Sequence, residues 1–119
     1  MANYVDGFIL PVPKDRVEDY RRIAQGAGEV WREYGALEYR ECVAEDVKVG
    51  ELTSFPRSVQ AKEGETVVFA WITYESRAER DRINAKVMAD PRMTVGDPDD
   101  MPVDMSRMIY GGFDIVVDA

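Results

Sequence analysis

The chain of 119 residues contains no histidine and a single cysteine, Cys42. Histidine is the commonest general base at neutral pH and the commonest metal ligand. Its absence excludes Ser–His–Asp and Cys–His nucleophile systems and imidazole zinc sites, and one thiol cannot build a thiolate site. One cysteine also excludes an intrachain disulfide, which makes a cytoplasmic setting the expectation. No stretch reaches the ~18 apolar residues of a membrane span. The start, Met-Ala-Asn-Tyr-Val-Asp, has neither the basic residues nor the apolar run of a secretion signal. Basic residues are scarce too: 15 Lys and Arg against 23 Asp and Glu leave a net charge of −8. Affinity for nucleic acid comes largely from Lys and Arg, so neither nucleic acid nor membrane is an expected partner. Chemistry is left to carboxylates, Arg, Lys, Tyr, Trp, the lone thiol or the substrate itself, and neither cofactor nor metal is expected.

What is present is one pattern repeated: strand, amphipathic helix, strand. Tyr4–Val12, Asp15–Tyr34 and Ala36–Ala44 make the first copy; Thr66–Tyr74, Ser76–Asp90 and Met108–Val117 make the second. The order β-α-β-β-α-β predicts a single α+β domain over 1–119, a ferredoxin-like antiparallel sheet with two helices on one face. The other face stays bare unless a partner chain covers it.

The first helix carries Val17, Tyr20, Ile23, Ala24, Ala27, Val30, Trp31 and Tyr34 in steps of three and one, a continuous apolar stripe. Asp15 with Glu18, and Ser76 with Glu79, have capping-box spacing. Gly26 and Gly28 interrupt the first helix, which points to close packing on the sheet. In the second strand Leu37, Tyr39 and Val43 share a face with Glu41. Leu52–Phe55 reads as a short strand or a loop on the sheet edge. Thr66–Tyr74 is apolar on both faces and is expected to be central. The second helix has a thin apolar stripe, Ala78, Ile83, Val87 and Met88, and stops before Pro91. Gly111-Gly112 in the last strand signals a bulge or a close approach.

With these segments placed, several stretches resemble a known family. They are Tyr4-Val5-Asp6-Gly7-Phe8, Thr53-Ser54-Phe55-Pro56, Trp71-Ile72-Thr73-Tyr74, Ser76 to Asp81, Asn84 to Arg92, Met101-Pro102, and Arg107-Met108 with Gly111-Gly112-Phe113. Together they are similar to the YbaA-like bacterial proteins, a family of unknown function, nearly end to end. The resemblance implies the dimeric α/β-barrel superfamily, in which two ferredoxin-like sheets face each other as a homodimer. That superfamily includes cofactor-free monooxygenases, haem enzymes, isomerases and proteins without known activity. The family brings no catalytic residues to carry over. Val103 stands where the resemblance leads one to expect an aromatic residue.

Polar residues on otherwise apolar segments are the candidates for a site. Asp6 lies on one strand face with Tyr4, Phe8 and Leu10, so it is either paired with an arginine (Arg40 or Arg107) or held as an acid/base. Asp114 invites the same readings or a plain exposed position. Trp71 and Tyr110 either line an aromatic pocket or belong to the core. Arg80, Asp81 and Asn84 either lie on a solvated helix face or turn inward to a polar pocket or subunit contact. Cys42 reads as a small buried residue. The aspartates around 97–104 fail the EF-hand pattern, with Pro102 and Met108 where Gly and Glu are needed. Met88, Met93, Met101, Met105 and Met108 surround that loop, either as a lid or as ordinary packing. The leading expectation is a homodimer binding a small molecule. The alternatives are a cofactor-independent oxygenase or isomerase with Asp6 as acid/base, and a structural or regulatory dimer without a ligand.

Overall fold

The computed structural model describes residues 2–93 and 101–119. Its long elements are β1 (Tyr4–Pro13), α1 (Val17–Glu33), β2 (Glu38–Val43), β3 (Glu65–Tyr74), α3 (Arg77–Ala89) and β4 (Ile109–Asp114), with a single-turn helix α2 (Phe55–Ser58) before β3. The strands form one four-stranded antiparallel sheet in the order β2-β3-β1-β4. β1 and β3 are therefore central, and β2 and β4 are edges. Thr66–Tyr74 takes the central place its β-branched and aromatic content favours.

Tyr4, Asp6, Phe8, Leu10 and Val12 of β1 alternate onto the same face as Val68, Ala70, Ile72 and Tyr74 of β3. Both long helices pack there, with Val30 of α1 and Ile83 and Val87 of α3 joining Tyr4, Ile72 and Tyr74 in one core cluster. A second cluster holds Leu10, Val12, Val68, Ala70 and Val103, so Val103 fills core space with an aliphatic side chain. The methionines divide: Met93 packs on the first cluster, Met101 and Met108 on the second, while Met88 and Met105 are exposed. The aspartates 97, 99 and 100 lie outside the described residues, and Asp104 caps the turn ahead of β4 by accepting from the Ser106 backbone N–H.

The opposite face shows Ile9 and Val5 of β1, Phe69 and Trp71 of β3, and Ile109 and Phe113 of β4. Phe69 is 43% and Phe113 60% exposed, and no described helix longer than α2 lies over them. The molecule is a slab of 38 × 38 × 20 Å.

Several local expectations change. The Asp15 cap does not form: Pro13 leads into a 3-10 turn at Lys14–Arg16, α1 begins one residue later at Val17, and Glu18 binds Arg21. Ser76 does cap α3, accepting from the Glu79 N–H at 3.1 Å. Leu52–Phe55 is not a strand; Ser54 caps α2, with Pro56 in its first turn. The last strand ends at Asp114, one ladder bond beyond which Ile115 donates to Asn3. β1 and β4 pair without a bulge, and Gly112 is needed because a Cβ there would strike the Tyr4 hydroxyl. Cys42 is exposed, since β2 is an edge strand and Cys42 alternates onto the uncovered face opposite Phe69.

Candidate functional site

Asp6 and Arg80 meet at the core of the helix-covered face. Arg80 and Asn84 occupy the same stripe of α3 as Ile83 and Val87, at spacings that put all four on the sheet side. The Arg80 guanidinium donates to Asp6 at 2.8 Å and to the Tyr4 hydroxyl at 3.2 Å, and lies 5.1 Å from the centre of the Tyr4 ring. The Tyr74 hydroxyl donates to the other Asp6 oxygen at 3.1 Å. Asn84 accepts from the Trp31 indole N–H at 3.2 Å. Burial pushes the Asp6 carboxyl up, opposed by the Arg80 charge and the Tyr74 hydrogen bond. Burial and the neighbouring Asp6 charge push the Tyr74 phenol up in turn.

These contacts bear on the alternatives for Asp6. The partner is Arg80 rather than Arg40 or Arg107: Arg40 pairs with Glu38 at 3.1 Å on the opposite face, and Arg107 clamps Glu65 at 2.7 Å. Arg80 and Asn84 turn inward, whereas Asp81 is exposed and merely flanks Arg80. Among the described residues no buried side-chain polar atom lacks a hydrogen-bond partner. The geometry of this cluster is that of a satisfied core network joining β1, β3, α1 and α3, and it supports the pairing reading of Asp6 over a free acid/base.

Trp71 and Tyr110 do not line one pocket, because alternation places them on opposite faces. Trp71 donates to Glu38 at 2.6 Å on the uncovered face. Tyr110 stands on the helix side at the β4 edge, largely exposed, and stacks on Phe8 at 6.2 Å. Asp114, also on that edge strand, is exposed.

A separate open concavity lies between α1 and the β2 edge, with a volume of about 680 Å³; a larger one of about 820 Å³, lined by Lys14, Arg57, Lys62 and Glu65, has no comparable apolar wall. The apolar walls of the α1–β2 groove include Val17, Ala24, Val43 and Val68, and its polar floor is Tyr20, Tyr39 and Glu41. β2 alternation brings Tyr39, Glu41 and Val43 onto the helix side, opposite Ile72, Ala70 and Val68. The Tyr20 phenol donates to one Glu41 oxygen, and the Tyr39 phenol donates to the other at 2.5 Å. Burial, reinforced by the Glu41 charge, pushes both phenols well above their ordinary range, so both keep their protons and act as donors. Gly28 makes the arrangement possible: a Cβ there would lie 2.6 Å from the Tyr39 ring. Tyr39 also leans on Trp31, with ring centres 5.9 Å apart.

Sequence reasoning did not nominate Tyr20, Tyr39 or Glu41. The available signal was Glu41 itself, a carboxylate on the apolar face of a strand, the same mark that singled out Asp6. Tyr20 was hidden because its place in the α1 stripe makes it read as packing.

Fold and site together define a class: an α/β protein with an open four-stranded antiparallel sheet, its two long helices on one face, and a polar-floored groove under its first helix. More particularly, the chain belongs to the family described as Protein of unknown function (DUF1428), whose model matches residues 3–105. It is 48% identical over 115 residues to the uncharacterized protein YbaA of Escherichia coli (strain K12), covering 97% of each chain. The uncharacterized protein YbaA of Shigella flexneri is similar to the same extent, 48% over 97% of each chain. Among solved structures, the de novo designed protein Foldit4 is similar over 98% of this chain and 99% of that one. Its sequence is 11% identical and the TM-score is 0.45. Among the described residues no helix is long and apolar enough to cross a membrane.

Proposed function

We propose that this is a cytoplasmic homodimeric protein that binds a small molecule in the α1–β2 groove. The observation carrying this reading is the groove itself. Its volume of about 680 Å³ falls within the ~300–1,000 Å³ typical of ligand sites, and it combines apolar walls with a few convergent polar groups. Those polar groups sit on a long helix and a strand rather than on loops, so they are held in place without a ligand.

The uncovered sheet face supports the dimer. The strand order β2-β3-β1-β4 with both long helices on one side supports the ferredoxin-like reading. A second copy, applied sheet to sheet, would cover Phe69, Trp71, Ile109 and Phe113 and close a dimeric α/β barrel. One self-complementary patch on each chain is what two-fold symmetry requires. Cys42 on the same face would then be enclosed, in keeping with an unpaired thiol in a reducing compartment.

A thermal-shift screen of the purified protein against a metabolite library tests the binding reading, because a ligand of the folded state must raise the melting temperature. The Val43→Trp variant fills the groove from its half-exposed edge. Hits that vanish in that variant place the ligand in the groove; hits that persist, or a library with none, sink the assignment.

A further inference from the structure

We propose that the groove recognises an organic cation, a primary ammonium or comparable N–H donor carried on an apolar or aromatic body. This rests on the reading of the groove as a ligand site and adds the chemistry of the ligand.

The argument starts from Glu41. A carboxylate offers about four acceptor positions, and each phenol occupies one, Tyr20 on one oxygen and Tyr39 on the other. Both phenolic protons are thereby spent on Glu41, so what this carboxylate and its two phenols still offer is acceptor capacity. A ligand donor matches that surplus, whereas a ligand carboxylate would meet Glu41 head on.

The surrounding charges favour the same sign. Among the described residues Glu41 has no Lys or Arg within ion-pairing distance. The two arginines lining the groove are engaged elsewhere: Arg21 with Glu18, and Arg32 with the carbonyls of Ala36 and Leu37. Glu33 is held by Arg92 at 2.7 Å, while among the described residues Glu29 accepts only from Gln25 at 3.2 Å. Among the described residues two carboxylates without an ion-pair partner, Glu41 and Glu29, face the groove against one such cation, Arg32, in a chain of net charge −8, which draws cations in from a distance. The Tyr20 and Tyr39 rings add π surfaces beside the carboxylate, which attract a cation a second time. The apolar walls accept the remainder of the molecule.

The test uses three probes on one phenylpropyl skeleton with different charge: 3-phenylpropylammonium, 3-phenylpropanol and 3-phenylpropionate. Each is titrated into the ¹⁵N-labelled wild-type protein and into Glu41→Gln, whose melting curve and spectrum first establish that it is folded. The expected result is that the ammonium perturbs the amides of Gly28, Tyr39 and Val43 and binds about tenfold or more tightly than the alcohol, an advantage abolished in Glu41→Gln. If the alcohol or the carboxylate perturbs those amides at equal or lower concentration, the cation assignment is overturned while the groove remains a ligand site. A preference for the ammonium that persists in Glu41→Gln also overturns it. If none of the three perturbs the groove of the wild-type protein, both the cation assignment and the groove reading fail.

Discussion

Replacing Asp6 by Asn leaves the Arg80 guanidinium facing a neutral amide inside the core. Removing one member of a buried pair costs roughly 3 kcal/mol, mostly because the other charge stays buried. Forming the pair took both charges out of water, which offsets most of their attraction, so the pair itself adds little net stability over apolar residues of the same volume. Asp6→Asn alone is therefore expected to lower the unfolding free energy by roughly 3 kcal/mol, whereas Asp6→Leu with Arg80→Met recovers most of that loss. Urea unfolding of the two variants measures both, and an unchanged midpoint for Asp6→Asn would return Asp6 to the list of acid/base candidates. At this scale the sequence was partly legible. A charged residue among Tyr4, Phe8 and Leu10 has to be compensated, and an α3 stripe short of apolar residues has to present something polar to the sheet. Which arginine answers Asp6 was not legible, because residues 6 and 80 are brought together only by the crossing of α3 over β1. The Tyr20–Glu41–Tyr39 arrangement was hidden for a similar reason, its members lying on α1 and β2 at spacings no local pattern marks.

At the scale of the helix, Gly26 and Gly28 look alike in sequence and differ in place. A Cβ at Gly26 meets nothing within 4 Å, while one at Gly28 lies 2.6 Å from the Tyr39 ring. Gly26→Ala is expected to stabilise the protein by up to about 1 kcal/mol through helix propensity alone. Gly28→Ala gains the same propensity but must displace Tyr39, an overpacking cost of about 1–3 kcal/mol that leaves the protein level or less stable. Because the displaced ring is also the floor of the groove, Gly28→Ala should shift the aromatic near-ultraviolet spectrum, which Gly26→Ala leaves unchanged. Melting temperatures of the two variants moving together would refute the close approach. The same scale shows where local rules yielded. Ser76 capped α3 as its spacing promised, but the Asp15 signal failed because Pro13 sends the chain into a tighter turn before α1 can start.

For the whole molecule the bare face is the consequence that reaches furthest. A two-layer slab that leaves Phe69 nearly half exposed and Phe113 more than half exposed presents an apolar surface of the kind that suits a partner. The wild-type protein is expected to run at the mass of two chains in light scattering, and Phe113→Asp at that of one 13.5 kDa chain. In the proposed dimer the substitution would put a charge on the apolar face along the β4 edge, against the second copy. A wild-type protein that remains monomeric at high concentration would dismiss the barrel.

Period-two strands and a period-3.6 helix are local properties, written in consecutive residues, so the sequence by itself determined the order of elements, the central place of Thr66–Tyr74 and the two faces of the sheet. The lack of histidine likewise determined which chemistries are closed to the chain. Only the tertiary structure decided the partner of Asp6, the separation of Trp71 from Tyr110 onto opposite faces, the exposure of Cys42 and the meeting of two phenols on Glu41. Each of these depends on strand register and on where a helix crosses the sheet, and those are set by the packing of distant side chains rather than by any neighbour in the chain.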